Sequence, residues 1–150
     1  MDTGYKVYDV MERKVHTADS RLSVSEVAKM MSDNKVGSVV ITESKAPVKI
    51  LTEQDIARKV VAKGKDPKTE TVGSIAGEEL ISVESTRDIY EAIELMSSSD
   101  IKHLPVIDNG KLEGIITSKD IIRLEPHLVE MLSFKSSLNR DEAKKLFNKL

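Results

Sequence analysis

The chain has 150 residues, 39% of them hydrophobic and 32% charged, enough to bury one compact core or the cores of two small paired halves. It has no cysteine, which excludes a disulfide framework, a thiolate zinc site and a cysteine nucleophile, and fits a reducing compartment. A net charge of −2 with interspersed signs and an aromatic content of 3% leave general nucleic-acid binding little support.

The first residues lack the basic-then-apolar pattern of a signal peptide, and no apolar run approaches the roughly 18 residues of a membrane span, so a soluble, cytoplasmic protein is expected. Val24, Val27, Ala28 and Met31 then fall at i, i+3, i+4 and i+7, which predicts an amphipathic helix. Ser23 and Glu26 stand where its N-cap and third-residue carboxylate belong. Val36 to Ile41 reads as a short β-branched strand, Ser44 to Pro47 as a loose turn and Lys49 to Leu51 as a second strand. A further helix begins at Thr52 and is ended by Gly64 and Pro67, with Lys59, Lys63 and Lys65 on its solvated C-terminal face.

The whole pattern then returns at a shift of 65 residues, without a gap. Ile89, Ala92, Ile93 and Met96 repeat the helical stripe, and Asp88 with Glu91 repeats the cap positions. Ile101 to Ile107 and Glu113 to Ile116 repeat the strands, joined by Asn109-Gly110, a type I′ hairpin signal. Thr117 opens the last helix of the repeat, which Pro126 stops. Beyond it Leu128 to Leu132 continue, and Asn139 and Glu142 cap a segment with an apolar stripe of Ala143, Leu146, Phe147 and Leu150. The expected organisation is a repeat over 7–62, a linker over 63–71, a second repeat over 72–124 and a C-terminal helical extension over 125–150. The period is too long and the copies too few for a solenoid, so the halves should pair face to face.

Two segments look chemical: Thr52-Glu53-Gln54-Asp55 and Thr117-Ser118-Lys119-Asp120 each set a hydroxyl and a carboxylate three residues apart at a strand-to-helix junction. One reading is a plain helix cap. The other is a nucleotide site, because a helix N-terminus offers amide donors to phosphate and a carboxylate can accept from vicinal ribose hydroxyls.

With these motifs in place the sequence resembles the tandem cystathionine-β-synthase-type (CBS) domains, or Bateman modules. The resemblance rests on the helices ending at Met31 and Met96, on Gly37-Ser38-Val39-Val40-Ile41 and His103-Leu104-Pro105-Val106-Ile107-Asp108, and on the two Thr-x-x-Asp-Ile segments. It implies a mixed α/β fold of the α+β kind, two β-α-β-β-α repeats packed about a pseudo-twofold axis. It also implies two clefts that take adenosine-containing ligands such as AMP, ADP, ATP or S-adenosylmethionine, with no required cofactor. Carried over residue by residue, the ribose acceptors fall on Asp55 and Asp120 and the hydroxyls near phosphate on Thr52 and Thr117. The backbone flanking the base falls around Thr17 and Ser82, and the cleft-lining strands around Gly37, Ser38 and Val39 and around Lys102, His103, Leu104 and Pro105. Glu53 beside Thr52 opposes a phosphate, whereas Ser118, Lys119, Lys102 and His103 surround Thr117, so the Asp120 cleft is expected to be the better site.

Other residues carry less. His16 and His127 lack partners at ligand spacing, so no metal is expected, and the methionines Met30, Met31 and Met96 read as core. No nucleophile with a base and no glycine-rich phosphate loop appears, so the chain is expected not to be an enzyme; with both Thr-x-x-Asp segments intact, the resemblance implies a ligand-sensing regulatory module acting on a protein of another chain. The alternative is a structural dimerisation module with empty clefts. The apolar helix faces, with the capped C-terminal segment, further suggest a homodimer.

Overall fold

Residues 1–124 are described by the structure, a computed structural model. In chain order they form α1 (Val7–Val10), β1 (Thr17–Asp19), α2 (Val24–Asn34), β2 (Ser38–Glu43) and β3 (Ala46–Thr52). Next come α3 (Glu53–Ile56), continuing into a π-helical turn (Ala57–Val61), then α4 (Val72–Ile75), α5 (Ile89–Ser98), β4 (His103–Asp108), β5 (Lys111–Thr117) and α6 (Ser118–Leu124). The C-terminal extension over 125–150, with the stripe of Ala143, Leu146, Phe147 and Leu150, lies outside the described residues.

The chain divides into two compact units. One, here the Asp55 unit, comprises Lys14–Leu80 with the hairpin residues Asn109–Leu112. The other, the Asp120 unit, comprises Met1–Arg13, Ile81–Asp108 and the described residues from Glu113 on. In the Asp55 unit β2 is central, parallel to β1 (Thr17 beside Val40) and antiparallel to β3 (Ser38 beside Thr52). In the Asp120 unit β4 and β5 form a two-stranded sheet, and the counterpart of β1 is a single parallel bridge between Val83 and Val106. Equivalent apolar residues fill the two cores: Val24, Met31 and Leu51 in one, Ile89, Met96 and Ile116 in the other. Side chains of one helix stripe thus close on one small sheet in each unit, the burial that makes such short elements stable.

The packing units do not follow the sequence repeats. Each unit takes in the short leading segment of the other repeat, and it does so by matching hydrogen bonds. Val7 N–H donates to Arg87 O at 2.9 Å and Glu12 N–H to Ile115 O at 2.8 Å. At the equivalent positions Val72 N–H donates to Leu22 O at 2.9 Å and Gly77 N–H to Ile50 O at 3.2 Å. Val7 and Val72 are both fully buried by this exchange, α1 in the Asp120 unit and α4 in the Asp55 unit.

Three local expectations need correction. The loop near Ser44 to Pro47 is not loose: β2 lies two residues later than predicted and β3 is longer, and Ser44 (φ +49°) and Lys45 (φ +67°) make a two-residue turn with both φ positive, as do Asn109 (φ +50°) and Gly110 (φ +78°). The right-handed twist of the paired strands favours that turn in both hairpins, whatever residues fill it. At the start of α2 Ser23 and Glu26 form the expected capping box. At the start of α5 Asp88 caps through Tyr90 N–H at 2.8 Å, while Glu91 turns to Arg87 at 3.8 Å. The reason is the leading segment: Thr3 donates its N–H and hydroxyl to the Asp88 carboxylate at 3.0 and 2.8 Å, fixing that side chain in a buried position. Burial pushes the Asp88 carboxyl up, but the hydrogen bonds from Tyr90 and Thr3 outweigh it and hold it at about 2. The third correction, Lys59, belongs to the site.

Candidate functional site

Both threonine–aspartate junctions form, and they form alike. Thr52 donates its N–H (3.0 Å) and hydroxyl (3.2 Å) to Asp55 Oδ2, and the hydroxyl accepts from Asp55 N–H (3.4 Å). Thr117 donates its N–H (2.8 Å) and hydroxyl (2.8 Å) to Asp120 Oδ2 and accepts from Asp120 N–H (3.3 Å). These are reciprocal caps, so the structural reading of the motif is realised in full. It occupies only one oxygen of each carboxylate, and a carboxylate has acceptor capacity on both.

The strand before each junction is held against it by another matched pair of bonds: Glu53 N–H donates to Gly37 O and Ser118 N–H to Lys102 O, both at 3.1 Å. The Asp55 unit therefore gathers Thr17 on β1, Gly37, Ser38 and Val39 at the start of β2, and Thr52 and Asp55 at the end of β3 and in α3. Ser38 and Val39 are buried, Asp55 is partly buried, and Thr17 is exposed. The Asp120 unit gathers Ser82, Lys102, His103, Leu104, Pro105, Thr117, Lys119 and Asp120. Ser82 joins them because the next residue, Val83, donates its N–H to Pro105 O at 3.1 Å. Leu104 and Pro105 are buried, His103 and Asp120 are partly buried, and Ser82, Lys102 and Lys119 are exposed.

The two junctions differ at one carboxylate oxygen. Lys59, read from sequence as part of a solvated face, instead places its Nζ 3.1 Å from Asp55 Oδ1 and donates to Ile75 O at 2.9 Å. Its ammonium thus reaches back to the junction. The spacing Asp55–Lys59, i to i+4 on one helix, was the available signal. The position that matches Lys59 in the second repeat is Leu124, packed against the apolar core, and among the described residues no cation pairs with Asp120.

Among the described residues no group of three or more His, Cys, Asp or Glu stands where it could hold a metal ion, and no helix is long and apolar enough to cross a membrane. The profile of the CBS domain matches residues 7–62 and 72–127. The chain belongs to the CBS-domain family. It carries two CBS domains in tandem, and an uncharacterised protein of Methanopyrus kandleri, MK0525, is 39% identical over 139 residues, covering 88% of this chain and 71% of that protein. Solved structures agree with the fold. The CBS-domain pair of protein MJ0100, in complex with 5′-methylthioadenosine and S-adenosyl-L-methionine, superposes with a TM-score of 0.73 at 30% identity, covering 80% of this chain and 98% of that one. The hexameric CBS-CP12 protein from bloom-forming cyanobacteria gives a TM-score of 0.74 at 29% identity over 84% of this chain and 74% of that one.

Proposed function

We propose that this CBS-domain pair is a non-catalytic, ligand-sensing module for adenosine-containing molecules, AMP, ADP, ATP or S-adenosylmethionine, and that Asp55 and Asp120 accept from the ribose hydroxyls. The observation that carries the reading is the duplicated junction, in which the cap engages Oδ2 alone and leaves the other oxygen of Asp120 without a partner among the described residues. The complex of the MJ0100 CBS pair with two adenosine-containing molecules supports the ligand class. Thr17 and Ser82 would flank the base and the residues from Gly37 to Val39 and from Lys102 to Pro105 would line the two sites.

The module acts by difference in affinity: a ligand that favours one arrangement of the pair shifts its population, and a regulated protein on another chain reads the shift. Assembly as a homodimer in the cytoplasm completes the reading, and the hexameric CBS-CP12 neighbour shows that proteins of this fold assemble. Isothermal titration with the four ligands tests it. Binding of at least one, with no more than two sites per chain, is expected; silence from all four at millimolar concentration overturns the sensing function and leaves a structural dimerisation module.

A further inference from the structure

Lys59 stands where a ligand of Asp55 would have to stand. The Asp55 carboxylate has two oxygens; Thr52 holds one and the Lys59 ammonium holds the other. With the lysine in place the side chain of Asp55 is only 18% exposed. Lys59 is fixed at its far side too, by the Ile75 carbonyl at the end of α4, and it sits in the π-helical turn where the helix widens, with Ala62 N–H reaching back to Ala57 O at 2.9 Å. Such turns are found frequently at functional sites. In the second repeat the equivalent helix α6 is described as far as Leu124, which stands at the place matching Lys59.

We propose that Lys59 is an internal occupant of the first repeat's site: its ammonium takes the Asp55 oxygen that a ribose diol needs, so the Asp55 site binds adenosine-containing ligands weakly while the Asp120 site, without the lysine, binds them tightly. The proposal rests on the ribose-acceptor reading above and adds the residue that makes the two sites unequal. A bound diol must displace a charge-assisted hydrogen bond at Asp55 and, among the described residues, displaces none at Asp120. The exposed half of the pair is screened by water, which keeps the penalty moderate.

The test uses adenosine, which has the vicinal hydroxyls and no phosphate, so that a lysine serving a phosphate would not register. Titrations compare the wild-type chain, Asp120→Ala, and Asp120→Ala combined with Lys59→Leu, Lys59→Met or Lys59→Arg. Thermal melts accompany each to show that the protein is folded. In the Asp120→Ala background only the weak site remains. There Lys59→Leu, which copies the second repeat, and Lys59→Met, which keeps the stem, should each tighten adenosine about three- to tenfold, while Lys59→Arg leaves it unchanged. Unchanged or weaker binding in folded Lys59→Leu and Lys59→Met, with wild-type binding that depends on Asp120, overturns the role of Lys59 alone. Wild-type binding that ignores Asp120→Ala, or no binding in any chain, overturns the ribose-acceptor reading and this inference with it.

Discussion

The Asp55 and Asp120 units share a plan down to matched backbone hydrogen bonds, and differ at the sheet edge, where β1 pairs with β2 over three residues and its counterpart is a single bridge, and at individual side chains. Gly37 and Lys102 give their carbonyls to equivalent donors, Val7 and Val72 are buried by equivalent exchanges, and Thr52 and Thr117 cap equivalent helices. The unlike positions are the lysine or leucine one turn beyond the aspartate, the serine or aspartate that caps the long helix, and the residues of the tight turn. These matched bonds recur because backbone polar groups must be satisfied in both copies. The side chains are then free to give the copies different tasks.

The comparison predicts its own limits. Leu51 and Ile116 are fully buried equivalents at the centres of the two cores. Truncating either to alanine should cost about 2–5 kcal/mol in urea denaturation, by transfer and cavity terms together. Hydrogen exchange should place the loss in the Asp55 unit for Leu51→Ala and in the Asp120 unit for Ile116→Ala; a loss shared by both units from either change would show that they do not open separately.

Next in size is the ligand contrast. Asp120→Ala removes a charged acceptor worth about 1.5–3 kcal/mol, so the tightest binding should weaken by about ten- to a hundredfold, and Asp55→Ala should leave it nearly intact. Asp120→Asn, which keeps the shape and an acceptor, should retain the cap and lose part of the affinity, as titration and a melt measured together will show. Tight binding that survives Asp120→Ala and falls with Asp55→Ala would reverse the ranking of the two sites.

A smaller effect separates the caps. Asp88 has a folded pKa of about 2, below its ordinary 3.8, so the stability it adds is whole above the ordinary value and is lost as pH falls towards 2. Acid titration of the fold should therefore flatten in Asp88→Asn. The uncharged Ser23 cap has no such step of its own, although Glu26, held low by Ser23, adds one nearby. The smallest change concerns the turns: Lys45 adopts φ +67° where the second hairpin has Gly110, and Lys45→Gly should raise stability by about 0.5 kcal/mol, relief of the left-handed backbone exceeding the added chain entropy. Thermal melts resolve the sign.

Much of this was legible in the sequence for a physical reason. The stripes of α2 and α5, the Asn109-Gly110 hairpin and the two threonine–aspartate caps are local patterns, and the stripes and the caps each occur twice, so one copy checks the other. The exchange of leading segments left no such trace. Its bonds join Val7 to Arg87 and Val72 to Leu22 through backbone atoms, which hydropathy does not record. The Ser44-Lys45 turn was hidden because neither residue is the glycine that announces a positive φ. Lys59 was visible as an i to i+4 partner of Asp55, but its meaning came from geometry: the second oxygen of the carboxylate is the one it covers.

The exchanged segments also set an order of assembly during synthesis. Residues 70–77 emerge when their backbone partners near Leu22 and Ile50 are already made, so the Asp55 unit can complete these contacts before the second repeat exists. Residues 5–12 emerge before any of theirs, and must wait for Arg87 and then Ile115. The longer wait closes the larger loop, which costs more chain entropy. The Asp120 unit is thus the last to be finished, and a growing chain completes the exchanged contacts of the Asp55 unit first.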